Sequence, residues 1–535
     1  MESLKLKIVT ALFMLILPLA AFADDTLWNM PYMRPAKYNY LSYFSSDVNI
    51  SLTVDPGWCK NRLTTGWNYY KNHFIMSNGL VMQMTGSGVG TTTAVSEGIG
   101  YGMLLALINN DQATFNKIFQ AGNQYMWNNG HNSYYNWKIV NGGVSGSGAA
   151  TDAELDICLA LIFADKLQKN SAVTKWTAYN SGGVTYASRA TQILASIKNN
   201  MTSNNYLLPG DNWGGAGISN LNPSYFATGF FRVFDQFQTA YQFAPVAASC
   251  YSVLKARSAQ YAKGQAPDWC TSSGGQASQP ASGQTYQGLG MTDDGIRTPW
   301  RICMDALWFD NADAKAFCSN SRNTLTKYTQ TAANPTALLT QLAQYTNTQT
   351  SIVTTAGSFH IIAMWLCGAM GSKDAAYTKQ CINGTLLLKI AGQSVCFGDP
   401  SLSDQYYYYN QSLGMLGFAA ITGMFPNVLA DDIKTVNVAA FPRRAPALTF
   451  RGVSVGADGL RFTLPRGFSE SRGGAVELFN MKGQGALTIS PDRCIVTADG
   501  ACFAPIGAGR LAPGMYFVKI RSGAARDYSD KILWK

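Results

Sequence analysis

The chain has 535 residues, 47% hydrophobic and only 13% charged, which excludes a disordered polymer and leaves ample apolar surface for a large core. Three widely spaced histidines, with no His-Glu-x-x-His, no nucleophile elbow, no Cys-x-x-Cys and no Gly-rich loop before Lys-Ser or Lys-Thr, weigh against zinc hydrolase, serine hydrolase and nucleotide-binding chemistry. The net charge of +10 is concentrated at one end, because residues 443–535 hold 14 Lys and Arg against 7 Asp and Glu.

In chain order, residues 1–23 read as a secretory signal: Lys5 and Lys7 precede an apolar run through Ile16 and Leu19, ending in Ala21-Phe22-Ala23. No later stretch has the ~18 uninterrupted apolar residues of a membrane span. The expectation is export to the medium or the bacterial cell surface, where disulfides can form among the 11 cysteines. Cys494 with Cys502, Cys250 with Cys270, and a pair among Cys367, Cys381 and Cys396 are the candidates; Cys158 reads as a small buried hydrophobe.

Residues 24 to about 90 are aromatic and turn-rich, with Trp58, Trp67, Tyr69 and Tyr70 and no clear helical period. Ser96-Glu97-Gly98-Ile99-Gly100-Tyr101-Gly102-Met103-Leu104-Leu105 then sets one carboxylate among glycines where a loop enters an apolar helix. On its own this reads as Ser96 capping the helix with Glu97 in its first turn. Helical spacing continues through Leu155, Cys158, Leu159, Ile162 and Phe163, through Tyr186 to Ile197, along Phe226 to Tyr241, and at Ile361 to Leu366 and Leu413 to Ile421.

Two further acidic segments stand out. In Ala150-Thr151-Asp152-Ala153-Glu154-Leu155-Asp156-Ile157, Thr151 and Glu154 match a capping box, while Asp152 and Asp156 share the core side of the helix. In Asp293-Asp294-Gly295-Ile296-Arg297-Thr298-Pro299-Trp300-Arg301, either acid could cap the following helix, and Arg297 is spaced to meet Asp294. Beyond Gly423 the composition shifts. Residues 431–446 read as a linker, and 447–535 as a small basic β-sandwich with strands near Leu460 to Leu464 and Met515 to Ile520. Export and interleaved acids argue against nucleic acid as its partner.

These segments, in this order, resemble glycoside hydrolase family 8. The resemblance implies an all-α six-hairpin (α/α)6 barrel over residues 24–430 that hydrolyses β-1,4-linked polysaccharide with inversion, without metal or organic cofactor. It assigns Glu97 as general acid, Asp294 as general base, Asp152 to hold the sugar at the cleavage point and Arg297 to orient it. Substrate-binding candidates are Tyr101, Trp137 with Lys138, Trp213, Tyr225 in Asn222-Pro223-Ser224-Tyr225-Phe226, Trp300, Tyr406 and Tyr409. Departures from the family pattern are Glu154 for Asp, Asp293 for Tyr, Gly295 for Ala and Thr228-Gly229 for Pro-Ala. The implied substrate is cellulose or a related glucan, with xylan as the rival and chitosan less favoured. A non-catalytic polysaccharide binder and a lyase are the readings from other classes. The basic tail weakly resembles C-terminal sorting or attachment domains, which implies the secretion machinery or cell envelope as a partner.

Overall fold

The computed structural model describes residues 56–128, 133–211, 218–260, 266–277, 290–329, 359–374 and 403–430, save the single positions 87 and 292. It also describes Thr378, short pieces at 346–347, 351–352 and 395–398, and strands between 454 and 534. The signal-like residues 1–23, Trp213, Cys381, Cys494 and the linker 431–446 lie outside the described residues. The chain divides into one unit over Met1–Val436 and a second over Asn437–Lys535.

The first unit is helical. Its elements are α1 (Pro56–Phe74), β1 (Thr93–Val95), α2 (Ser96–Ile108), α3 (Gln112–Tyr125), β2 (Lys138–Val140), β3 (Gly143–Gly146), α4 (Thr151–Lys169), α5 (Tyr186–Asn200), α6 (Thr228–Phe237), α7 (Ala244–Gln260), α8 (Thr298–Phe309), α9 (Ala312–Thr329), α10 (Phe359–Gly371) and α11 (Tyr408–Ile421). Among the described residues, α2 packs on α4, α4 on α6, α6 on α8, α8 on α10, α10 on α11 and α11 back on α2, so six helices close a ring. Outside it, α1 lies on α11, α3 on α2, α5 on α4, α7 on α6, and α9 on α8 and α10. This is the arrangement expected of an (α/α)6 barrel.

Sequence explains which helices are inside. α2 and α10 are apolar on all sides and almost entirely buried, whereas α3 and α5 bury one stripe, such as Ile193, Leu194 and Ile197. Each fully buried Leu, such as Leu104 or Leu105, contributes roughly 1.5–3 kcal/mol. The ring also needs close approach: a Cβ on Gly100 would lie 2.7 Å from Asp156 Cβ, so this glycine lets α2 settle against α4. Among the described residues no helix is long and apolar enough to cross a membrane.

Two helix starts differ from expectation. Ser96 does not cap α2; Val95 occupies that position without a side-chain cap, and Ser96 is fully buried. Thr151 and Glu154 form no capping box, because Thr151 already lies in the first turn of α4 and its hydroxyl donates to the Leu208 carbonyl (2.7 Å). Glu154 instead accepts the Tyr135 N–H at 2.7 Å. The buried cysteines Cys158, Cys250, Cys270 and Cys367 are free thiols, so the pairing of Cys250 with Cys270 is corrected, as is that of Cys367 with Cys396.

The second unit contains β4 (Ser454–Gly456), β5 (Gly459–Thr463), β6 (Ala475–Asn480), β7 (Gly485–Ile489), β8 (Ile495–Val496), β9 (Ala501–Pro505), β10 (Gly514–Arg521) and β11 (Asp527–Trp534). They form two antiparallel four-stranded sheets, ordered β4-β5-β9-β8 and β7-β6-β10-β11. Val476 and Leu478 are buried while the intervening Glu477 is less so, the period-2 pattern of a sheet with one covered face.

Candidate active site

The acidic motifs occupy equivalent places. Glu97 lies in the first turn of α2 and Asp152 in the first turn of α4. Asp294 precedes and Arg297 ends the 3₁₀ turn Gly295–Arg297 that runs into α8, and Ser224 lies in the 3₁₀ turn Pro223–Tyr225 just before α6. Tyr408 and Tyr409 open α11. Inner-helix starts therefore converge at one end of the ring, where the helix dipoles favour negative charge.

Arg297 is the hub. Its Nη1 donates to Glu97 Oε2 and to Asp152 Oδ2 (2.7 Å), and its Nη2 to Asp294 Oδ1 (2.6 Å) and Ser224 Oγ (2.9 Å). The Tyr101 hydroxyl accepts a longer bond from Nη1 at 3.4 Å. Tyr408 donates its hydroxyl to the other oxygen of Glu97, and Tyr409 donates to the main-chain carbonyl of Asp293. The guanidinium is 2% exposed, but the Glu97 and Asp294 side chains are 16% and 18% exposed, so the two acids open onto solvent from a buried cation.

Three carboxylates around one guanidinium leave excess negative charge, which favours retaining a proton. Burial pushes Glu97 up to about 8; Arg297 opposes it, Asp152 adds repulsion, the Tyr408 hydrogen bond opposes, and Asp294 adds a smaller repulsion. Burial pushes Asp294 up to about 7, with Arg297 opposing, Asp268 and Asp152 adding repulsion, and the Asn222 side chain opposing. Burial moves both acids up and Arg297 opposes it in each.

The acid is anchored to neighbouring structure. β1 pairs with β2, Val95 opposite Lys138, and the Ser96 N–H donates to the Trp137 carbonyl (3.0 Å). Trp137 is half-buried, with Lys138 Nζ 5.5 Å from its ring centroid. Tyr225 and Tyr409 flank the guanidinium, their centroids 5.3 Å and 5.9 Å from Arg297 Cζ. Tyr406 and Tyr407 are exposed, 46% and 42%.

Tyr101 and Trp300 are corrections to the expected sugar-binding set, both 0% exposed, Tyr101 serving Arg297 instead. Trp300 is fully buried against Tyr101 and Phe230, with the Arg301 guanidinium 4.4 Å from its centroid, and offers no face to a sugar. Asp294 does not cap a helix through its side chain in the way the bare sequence allowed, but faces Arg297; Asp293 is exposed. Residues not singled out from sequence include Tyr408, which lies in a run of four tyrosines, and Ser224, Asn222 and Asp268. Ser224 and Asn222 stand inside a quoted motif, but nothing in residue type alone marks them or Asp268.

The chain matches the model of Glycosyl hydrolases family 8 over residues 28–423. It is 31% identical over 440 residues to Endoglucanase 2 of Ruminiclostridium josui, covering 80% of this chain and 84% of that protein. It is 32% identical over 380 residues to Endoglucanase A of Acetivibrio thermocellus, covering 69% and 70%. Similar solved structures include the apo β-1,3-1,4-glucanase from Paenibacillus sp. X4 (TM-score 0.55, 20% identity, 68% of this chain and 92% of that one) and a cold-adapted family 8 xylanase (TM-score 0.55, 19%, 75% and 97%). These two likenesses support the fold alone. With three acids gathered on Arg297 and a family match that spans the helical unit, the chain belongs to glycoside hydrolase family 8.

Proposed function

We propose that the protein is an inverting endo-β-1,4-glucanase, with Glu97 as general acid, Asp294 as general base and Asp152 holding the sugar at the cleavage point. The observation that carries this reading is the sharing of Arg297 by Glu97 and Asp294 on different nitrogens, with both carboxyls reaching solvent. Inversion requires a protonated acid at the leaving oxygen and an ionised base that activates water on the opposite face of the ring. Protonated Glu97 would donate to the glycosidic oxygen. Asp294 would take a proton from the attacking water, and Asp152 with Arg297 would bind the sugar ring between them. General acid–base assistance contributes about 10²- to 10⁴-fold per group, and the remainder comes from binding and distorting the chain.

Trp137, Tyr225, Tyr406 and Tyr409 are the aromatic groups we assign to the glucan; Trp213 remains assigned from sequence. The endoglucanase relatives favour glucan, while xylan stays as the second reading because family 8 xylanases share this fold. We further read residues 1–23 as an export signal and the two C-terminal sheets as a basic β-sandwich for sorting or cell-surface attachment, consistent with a secreted enzyme.

The test is hydrolysis of carboxymethyl-cellulose and xylan side by side, with the anomer of the first product read by NMR. Glucan cleavage with initial α-anomer supports the proposal. Xylan cleavage alone changes the substrate, initial β-anomer overturns inversion, and no reducing-sugar release from either polymer supports a binding protein.

A further inference from the structure

Asp268 lies directly behind the residue read as the base, on the segment that follows α7. Its Oδ1 accepts the Gly295 N–H at 2.7 Å, and so holds the peptide immediately after Asp294. The packing there is tight: a Cβ on Gly295 would fall 2.5 Å from the Ala266 carbonyl oxygen and 2.9 Å from Asp268 Oδ1. The family's usual Ala has no room, so Gly295 and the close approach of Asp268 belong together in this chain.

We propose that Asp268 is a positioning residue for the Asp294 base, fixing its peptide through Gly295 and setting a second negative charge against the pull of Arg297. The inference rests on Asp294 being the base. Arg297, 2.6 Å from Asp294, favours the carboxylate so strongly that alone it would make a poor proton acceptor. Burial counteracts this, and Asp268 is the leading neighbouring acid that does the same, ahead of Asp152. The groups around this cluster are Arg297 itself, Glu97 from α2, Asp152 from α4, Tyr225 from the turn before α6, Tyr409 from α11, and exposed Asp293 next in sequence. Glu97 and Asp152 are bound to Arg297, and Asp268 accepts from the peptide following Asp294.

The experiment compares pH profiles of kcat/KM on soluble glucan for wild type, Asp268→Asn and Asp268→Glu, with thermal unfolding as a fold check. Asn keeps an oxygen for the Gly295 N–H but removes the charge. Its low-pH limb should move down by about one pH unit, because the base then ionises more readily. Glu keeps the charge and should leave the limb in place even if the rate falls. An Asn limb superimposed on wild type overturns the proposal, as does a loss of rate equal at every pH. If Asp268→Asn fails to fold, Asp268→Ser also removes the charge while offering an acceptor, and is read in the same way. Asp294→Asn separates the two layers: retained activity there sinks the base assignment itself, whatever Asp268 does.

Discussion

Two arginines one helical turn apart do different work. Arg301 meets a single carboxylate: its Nη2 donates to Asp156 Oδ2 at 2.8 Å, its Nη1 to Oδ1, and both side chains are 0% exposed. Arg297 meets Asp152, Asp294 and Glu97 and borders solvent through two of them. The spacing is shared, because Asp152 and Asp156 on α4 face Arg297 and Arg301 at the start of α8 in the same order. The two helices therefore run in the same direction, with α6 between them in the ring. A matched, dry pair is structural; an oversubscribed cation at the mouth has protons to move.

The comparison breaks most sharply at Arg301. Arg301→Met leaves Asp156 buried without its partner and should cost about 3–5 kcal/mol of stability, read by denaturant unfolding. The double variant Arg301→Met/Asp156→Leu should recover most of that loss, and failure to recover would mean that the pair does more than balance charge.

Arg297→Lys should do the reverse. A lysine cannot present two nitrogens to three carboxylates, so kcat/KM should fall roughly 10²- to 10³-fold while the unfolding midpoint changes little. A large fall in stability with near-normal activity would make Arg297 another Arg301.

The pH profile sharpens the contrast. With Asp294 as the proposed base and Glu97 as the proposed acid, kcat/KM should follow a bell whose low-pH limb is lost in Asp294→Asn and whose high-pH limb belongs to Glu97. A profile without a high-pH limb would contradict the role of Glu97 as acid.

The smallest effect concerns Glu154, a fully buried acid away from both arginines. Burial pushes it up to about 8, with the Tyr135 N–H opposing. A carboxyl raised in the folded state contributes stability that is complete below its ordinary value of 4.5 and is lost as pH rises through about 8. Glu154→Gln should therefore remove part of the fall in unfolding midpoint between pH 5 and pH 9, by a few degrees. An unchanged slope would show that Glu154 does not carry it.

The sequence made some of this legible and hid the rest for physical reasons. The inner helices were readable because burial on all sides leaves unbroken apolar runs such as Met103 to Ile108. Asp152 and Asp156 stood out as acids on the core side of a helix. α1 was hidden, since its aromatics lack a clean period although Tyr70 and Phe74 are fully buried. Ser96 and Thr151 matched cap patterns, but the chain enters both helices one residue earlier, at Val95 and Ala150. Trp300 looked like a sugar platform because motif matching does not say which side of a helix faces the cleft. Tyr408 and Asp268 act through contacts 311 and 27 residues away, which only the closed ring brings together.

The central claim is that Glu97 donates a proton and Asp294 accepts one. Hydrolysis of β-cellobiosyl fluoride tests it most directly, because fluoride departs without protonation. Glu97→Gln should lose activity on carboxymethyl-cellulose by about 10²- to 10⁴-fold yet keep most of its activity on the fluoride, while Asp294→Asn should lose both. Equal loss of both substrates in Glu97→Gln, or retention of the fluoride activity in Asp294→Asn, would contradict the account.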